Sequence, residues 1–194
     1  QRQMCIRDRY DGLIALDDIS FKVEEGEIFA FLGPNGAGKT TTINIMMGFI
    51  YPTDGQVKIF GKDITKNGKE IKKRIGFLPE ELGFYDTLTA YEHMDFYGRL
   101  FGMPKAKREK RILELLEMVG LLERKDSRLR EYSHGMKQRL GIAQALINEP
   151  DLLIFDEPTS GLDPRASYEI RNIIKELATE GITIFLSSHL ILML

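Results

Sequence analysis

The sequence predicts an α/β fold built on a buried, mostly parallel sheet. Five short apolar runs bounded by Gly, Pro and Asp indicate strands, at residues 27–32, 56–60, 74–78, 151–155 and 182–186. Most of them are apolar on both faces, as strands are when helices cover both sides of the sheet. Stretches with apolar residues at helical spacing lie between these runs. This alternation of strands and helices is typical of an α/β domain.

Three of the helices have recognisable ends. They are predicted over residues 104–119, over residues 164–180, and from a cap at Thr89 to about Leu100. The first begins with a proline in its first turn, the second follows the N-cap Asp163, and the third opens with a Thr-x-x-Glu capping box. A glycine directly follows each of the first two helices and ends it.

The predicted helices concentrate in one stretch. Residues 84–149 are mostly helical, so we interpret them as a helical subdomain inserted in an α/β core formed by residues 10–83 and 150–194. Residues 1–9 place Arg and Asp where a first strand needs an apolar pattern, and the chain stops just after a strand. We therefore expect a C-terminally truncated core, and residues 1–9 are set aside as a doubtful, non-native end.

Composition excludes several classes of function. The 194 residues include 27 Lys and Arg against 29 Asp and Glu, and a net charge of −2 supplies no field for nucleic acid, so no nucleic-acid partner is expected. One cysteine and three histidines form no zinc-binding spacing, and a single cysteine cannot form an internal disulfide. No apolar run approaches the roughly 18 residues of a membrane span. We expect a chain that works inside the cell.

A glycine-rich stretch follows the strand predicted at residues 27–32. Residues 33–40 read GPNGAGKT and lead directly into a helical pattern. In this strand, loop and helix context the glycines let backbone N–H groups surround a phosphate. Lys39 can then reach the β- and γ-phosphates, and Thr40 can place its hydroxyl on Mg²⁺. The stretch predicts a site for a nucleoside triphosphate.

The strand predicted at residues 151–155 ends in two carboxylates. Asp156 and Glu157 follow a buried strand, at the sheet edge where open α/β folds bind their ligands. Asp156 is expected to hold Mg²⁺, usually through water, and Glu157 to orient or polarise the water that attacks the γ-phosphate. The dipeptide alone would be the solvated start of a loop, but the strand and the glycine-rich stretch favour the catalytic interpretation.

A second candidate anion site opens another helix. Residues 131–146 read EYSHGMKQRLGIAQAL, in which a Ser-His-Gly turn starts a helical pattern. The N-terminus of a helix carries free N–H groups and a partial positive charge, and both favour an anion. One chain thus holds two candidate phosphate sites.

Taken together, these motifs resemble the nucleotide-binding domain of ATP-binding cassette (ABC) transporters. Tyr10 matches the aromatic residue that stacks on adenine, GPNGAGKTT the Walker A motif, and LLIFDEP the Walker B motif. YSHGMKQR matches the signature sequence, SGLD the loop that couples two sites, and His189 the histidine that contacts the γ-phosphate. The resemblance implies a RecA-like P-loop NTPase core, an N-terminal antiparallel β part and an inserted helical subdomain.

The resemblance also assigns roles to residues. Catalysis falls to Glu157 and His189, and the metal to Thr40, Asp156 and Glu80. The residues expected to bind ATP are Tyr10, Gly33, Pro34, Asn35, Gly36, Ala37, Gly38, Lys39, Thr40, Thr41, Ser133, Gly135 and Met136.

Three positions depart from the family. Glu80 stands where the family usually has Gln; a carboxylate can still reach Mg²⁺ but donates no hydrogen bond, so Glu80 is a candidate metal ligand only. His134 and Met136 stand where Gly and Gln are most common, while Ser133 and Gly135 are kept. These variants look most like bacterial and archaeal exporters whose ATPase and permease are separate chains.

For mechanism, the resemblance implies that two such domains, identical or closely homologous, sandwich ATP and Mg²⁺ head to tail. ATP hydrolysis would reopen the pair and power an integral-membrane permease subunit, which places the chain at the cytoplasmic face of the membrane as a peripheral protein. Phe84 and Tyr85 are candidate contacts with the permease, although burial is the simpler interpretation of each ring. The alternatives are a soluble ABC-type ATPase acting as a switch on a ribosome or DNA, a P-loop kinase, and an inert fragment.

Overall fold

The computed structural model describes the backbone of residues 2–10 and 13–189, and the side chains of residues 16–189. The strands of this part are β1 (Arg2–Tyr10), β2 (Leu13–Val23), β3 (Ile28–Leu32), β4 (Asp54–Ile59), β5 (Lys62–Asp63), β6 (Ile75–Leu78), β7 (Leu152–Phe155) and β8 (Thr183–Ser188). The α-helices are α1 (Lys39–Met46), α2 (Ile64–Lys72), α3 (Ala90–Leu100), α4 (Lys105–Met118), α5 (His134–Ala145) and α6 (Pro164–Thr179). Two short 3₁₀ turns, Leu122–Arg124 and Leu129–Glu131, lie between α4 and α5.

The strands form two sheets. A parallel sheet has the order β3-β8-β7-β6, and an antiparallel sheet has the order β2-β1-β4-β5. The predicted α/β fold with a parallel central sheet, an antiparallel part and helices is therefore confirmed. The run at residues 56–60 falls in the antiparallel sheet rather than the buried parallel one. Its strand buries Val57 and Ile59 while the residues before Val57 are exposed, as expected of a strand covered on one face.

The strand β1 was missed at the sequence level. The absence of an apolar pattern counted against a strand before Tyr10, yet the backbone of Arg2–Tyr10 pairs with β2 on one side and β4 on the other. Gln3, for example, lies opposite Lys22 in β2 and Lys58 in β4. Hydrogen bonds to two neighbouring strands come from the backbone, so a local apolar alternation is not required to form this strand.

Successive residues of the parallel strands face two different cores. In β7, Leu153 and Phe155 join the cluster that contains the buried faces of α4, α5 and α6. Leu152 and Ile154 join the cluster on the opposite face, with α1 and the antiparallel sheet. All four side chains are fully buried, and each contributes about 1.5 to 3 kcal/mol through removal of its surface from water. The run reads as uniformly apolar because both of its faces are covered.

A close contact sets the position of α5 against the parallel sheet. Gly76 in β6 lies so near the last turn of α5 that an added Cβ would be 2.0 Å from the carbonyl oxygen of Ala145. Gly141, also on α5, approaches Leu78 at the end of β6 with similar closeness. The absence of side chains at these two glycines lets α5 pack directly onto β6, which places the first turn of α5 relative to the strand ends.

Candidate active site

The glycine-rich loop lies between the end of β3 and the start of α1, as predicted. Gly36 and Gly38 have φ angles of 81° and 85°, a left-handed backbone that glycine adopts without strain. The Gly33 N–H donates to the carbonyl of Ser188 at 3.1 Å, which ties the loop to the end of β8. Gly38 caps α1 without any side-chain hydrogen bond, so the first N–H groups of α1 are not consumed by a side-chain cap.

Lys39 lies beneath this loop. Its side chain is 6% exposed, and Nζ donates to the carbonyl oxygens of Gly33 at 2.8 Å and Pro34 at 3.1 Å. The same ammonium lies 3.1 Å from Oε1 of Glu157, which is also 6% exposed. The lysine is thus held at the base of the loop by two backbone carbonyls and one buried carboxylate.

Glu157 occupies a strained position at the end of β7. Its φ angle is 49°, a left-handed conformation that costs a residue with a side chain of the order of 1 kcal/mol. His189 lies beside it, with Nδ1 2.8 Å from Oε2 of Glu157 and the backbone N–H 3.3 Å from the same oxygen. The two residues expected to be catalytic therefore lie in direct contact, although they come from different strands.

Ser187 holds this arrangement together, and sequence reasoning missed it. The serine is fully buried; its Oγ accepts from the N–H of Glu157 at 2.9 Å and donates to Oδ1 of Asp156 at 2.6 Å. The only signal in the sequence was its place two residues before His189. Because β7 and β8 are adjacent, Ser187 lies opposite the Asp-Glu pair, which cannot be read from local sequence.

A cavity of about 390 Å³ opens between the loop and Glu157. It is lined by Asn35, Gly36, Gly38, Lys39, Thr40, Thr41, Glu80 and Glu157. Among the described residues, Oε1 of Glu157 is buried and has no hydrogen-bond partner beyond its ion pair with Lys39. A carboxylate oxygen with one cationic partner can still accept a hydrogen bond from a water molecule or from a polar group of a ligand.

The residues expected to hold Mg²⁺ divide into two groups. Thr40 and Glu80 line the cavity, and their oxygens are the hard ligands that Mg²⁺ prefers while it keeps several waters and phosphate oxygens. Asp156 is 3% exposed and lies outside the residues of the cavity wall, with one oxygen bound to Ser187. These oxygens fit a magnesium ion, which Thr40 and Glu80 would hold at the cavity and Asp156 would help to hold through water.

The signature residues form a second, separate cavity of about 370 Å³. It is lined by Ser133, His134, Gly135, Met136, Arg139, Gly161, Leu162, Asp163, Arg165, Ala166 and Glu169. Ser133 caps α5, since its Oγ accepts from the N–H of Met136 at 3.2 Å. The two cavities share no lining residue. The predicted signature residues thus lie together but do not join the Walker A and Walker B residues within one chain.

The remaining predicted ATP contacts are distributed unevenly. Gly33, Pro34 and Ala37 belong to the loop but lie outside the cavity wall. Tyr10 ends β1, and its side chain, with the expected stacking on adenine, lies outside the described side chains.

Comparison with known proteins agrees with this geometry. Residues 16–160 match the family model for the ABC transporter. The chain belongs to this family, as an ATP-binding domain. The bacitracin transport ATP-binding protein BcrA of Bacillus licheniformis is 48% identical over 183 residues, which cover 94% of the chain and 59% of BcrA. The Nod factor export ATP-binding protein I of Cupriavidus pinatubonensis is 39% identical over 184 residues, covering 95% of the chain and 57% of that protein.

Solved structures agree with the fold. The ATP-binding cassette MJ0796, in a dimeric post-hydrolysis state bound to ADP and Pi, superposes with a TM-score of 0.88 at 28% identity, covering 98% of the ABC domain and 89% of that cassette. The chain nevertheless spans less than two thirds of the length of the curated relatives it matches.

Proposed function

We propose that the chain is the ATP-binding and ATP-hydrolysing part of an ABC transporter, and that it works through ATP-driven association of two such domains. The observation that carries the proposal is the pair of incomplete sites. The cavity at Lys39 has a buried cation and a carboxylate but no signature helix, and the cavity at Ser133 has a helix N-terminus but no buried lysine. Two copies arranged head to tail would complete both.

Hydrolysis follows from the groups at the first cavity. The γ-phosphate would take the place of Glu157 as the partner of Lys39, and Glu157 would then be free to accept a proton from the attacking water. His189 donates to Glu157 and would keep the carboxylate oriented toward the water. Mg²⁺ would neutralise phosphate charge, held by Thr40 with Glu80 or Asp156.

Closure of the dimer would derive its energy from ATP. An anion between the loop at residues 33–38 and the N-terminus of α5 would be bound by N–H groups of two chains at once. To move an equilibrium from 1% closed to 99% closed takes about 5.5 kcal/mol, which is within reach of several charge-assisted hydrogen bonds of about 1.5 to 3 kcal/mol each. Loss of the γ-phosphate would remove that bridge and reopen the pair.

An exposed apolar strip supports an integral-membrane permease as the second partner. Tyr85 is 61% exposed, and its ring lies edge-on to that of Phe96 in α3, with 6.5 Å between the ring centroids. Leu100, one turn beyond Phe96 and also exposed, lines a groove of about 650 Å³ together with Phe101. A contiguous exposed apolar patch is typical of a protein interface. Phe84, the other expected contact, is half-buried, and its ring centroid lies 4.8 Å from that of His93.

The proposed location is the cytoplasmic face of the membrane, because the association and reopening of the two domains must act on a membrane subunit. None of the helices in residues 2–10 and 13–189 is long and apolar enough to cross a bilayer. We propose export as the direction of transport, on the likeness to a Nod factor export ATP-binding protein and to the separate-chain exporters. No observation on the described residues favours a ribosome or DNA partner.

The test is nucleotide-dependent dimerisation measured by analytical ultracentrifugation with Mg²⁺ and a non-hydrolysable ATP analogue. The wild-type chain should dimerise with the analogue and stay monomeric without it. Ser133→Arg should abolish the dimer, because a bulky cation fills the mouth of the second cavity, while nucleotide affinity of the monomer stays close to normal. Ser20→Arg, at an exposed serine on β2 that lines neither cavity, is the matched control. A normal dimer in Ser133→Arg would contradict association through α5.

A further inference from the structure

His134 makes a contact that the family pattern does not predict. It is the first residue of α5, its side chain is exposed, and Nε2 lies 3.2 Å from the carbonyl oxygen of Ser160. A carbonyl can only accept, so Nε2 must carry the proton and donate. Ser160 belongs to the turn that follows Glu157. One hydrogen bond therefore connects α5, at the second cavity, to the turn after Glu157, at the first cavity.

The surrounding backbone is shaped to let the imidazole lie there. Gly161 has a φ of 68°, and a Cβ at this residue would lie 3.7 Å from Nε2 of His134, so the ring packs against the bare backbone of the turn. On the next residue of α5, a Cβ at Gly135 would come within 3.0 Å of Cβ of Ala166 in α6. Small residues therefore bring the start of α5 and the segment 160–166 into close contact.

The turn that His134 holds leads directly to the catalytic carboxylate. The N–H of Ser160 donates to the carbonyl of Glu157 at 3.0 Å, and the N–H of Leu162 donates to the carbonyl of Thr159 at 3.3 Å. At the end of the turn, Asp163 caps α6 by accepting from the N–H groups of Arg165 and Ala166. Ser160 is bonded on its carbonyl side to His134 and on its N–H side to Glu157.

We propose that His134 is a positioning residue that couples the N-terminus of α5 to the backbone of Glu157 within one chain. When a phosphate engages the first turn of α5, the helix and the Glu157 turn are thereby kept in one fixed relation. A glycine at residue 134, the commonest residue of the signature, could not make this bond. The histidine therefore adds a hydrogen bond between α5 and Ser160. The effect on hydrolysis rests on the proposed function, whereas the link itself does not.

The test compares two variants of the full chain. His134→Leu keeps side-chain bulk but removes the donor, and His134→Gln keeps an N–H donor on an uncharged side chain. Loss of one such bond is expected to lower kcat for ATP about 2- to 10-fold in His134→Leu with KM unchanged, and His134→Gln should restore most of kcat. Normal kcat in His134→Leu, or an equal loss in both variants, would overturn the proposal.

Hydrogen exchange of the backbone gives a readout that does not depend on ATP turnover. In His134→Leu the amide of Ser160 should exchange about 2- to 10-fold faster than in wild type, because its turn loses one of two anchors, and His134→Gln should leave the rate close to normal. An unchanged Ser160 rate in His134→Leu would refute the link. If the wild-type chain hydrolyses no ATP, the proposed function fails while this exchange measurement still decides for or against His134.

Discussion

The helices α1 and α5 each begin at a cavity, and they differ in how much of a phosphate site each one supplies. α1 begins after a glycine loop and carries Lys39, a buried cation, in its first turn. α5 begins after Ser133, whose hydroxyl already accepts from the N–H of Met136, and its first residue, His134, is exposed. The cavities measure about 390 and 370 Å³.

This difference indicates that α1 supplies the stronger anion-binding site of the two helices. At α1 the cation is buried, and burial strengthens its interactions, so we expect most of the affinity for a nucleotide to come from this site. At α5 the cations on the cavity wall are shared with a carboxylate, since Arg139 and Arg165 lie 3.8 and 3.2 Å from Glu169. Because Glu169 offsets the charge of these arginines, we expect α5 alone to bind an anion less strongly than α1 does.

The largest effect is expected from Glu157→Gln, which breaks the first cavity without touching the second. Removing a general base typically lowers turnover by about 10² to 10⁴-fold, while the amide keeps the size of the side chain. ATP hydrolysis should fall by this amount with binding of the nucleotide retained. Phosphate release is the measurement, and Glu180→Gln, at an exposed glutamate that lines neither cavity, is the matched control. Near-normal turnover would remove Glu157 from the catalytic role.

Lys39→Ala tests where the nucleotide affinity resides. Loss of one charge-assisted hydrogen bond to phosphate costs about 1.5 to 3 kcal/mol, which corresponds to a dissociation constant roughly 10- to 150-fold higher. Titration with a fluorescent ATP analogue measures it. Lys175→Ala, at an exposed lysine on α6, should leave the affinity unchanged. If both variants bind alike, the buried cation is not what distinguishes the two cavities.

Gly76→Ala should disturb both cavities through the fold. The added Cβ would lie 2.0 Å from the carbonyl oxygen of Ala145, and because neither a Cβ nor a backbone carbonyl can move by changing a rotamer, β6 or α5 would have to shift. We expect a loss of about 1 to 3 kcal/mol in the free energy of unfolding, measured with urea. Gly83→Ala, where an added Cβ meets nothing within 4 Å, is the control. Equal stability of the two variants would mean that α5 does not depend on this contact.

The smallest effect concerns the anchoring of α5 by a buried histidine. His93 on α3 is fully buried and its Nε2 lies 2.7 Å from Oε1 of Gln144 on α5. Burial lowers the pKa of His93 below its usual value, although the bond to Gln144 opposes this. The unfolded chain therefore binds the proton more readily, and stability should decline as pH falls below about 6.5.

His93→Gln removes this titration while keeping a donor for Gln144. Its unfolding free energy should fall less between pH 7.5 and pH 5.5 than that of the wild type, as measured by urea titration at the two pH values. A His93→Gln variant that loses as much stability as wild type would show that His93 does not titrate with unfolding.

Local sequence was sufficient for elements whose signals are local. The capping box at Thr89 and Glu92 forms as predicted, and Asp163 caps α6. The loop at residues 33–38 has its expected conformation because glycines at the left-handed positions leave few alternatives. By contrast, β1 was missed, since strand pairing depends on neighbours distant in sequence.

Local sequence identified the main side chains of both cavities. They are a glycine loop that ends in a lysine, two carboxylates after an apolar strand, and a serine before a helix, and each group consists of neighbouring residues. Only the tertiary structure decided how these pieces meet. Strand adjacency brings Ser187 and His189 onto Asp156 and Glu157, and the close packing of Gly76 on α5 positions the second cavity apart from the first. Motifs depend on the identity of neighbouring residues, whereas contacts between β7, β8 and α5 depend on the packing of the whole sheet, which no short stretch encodes.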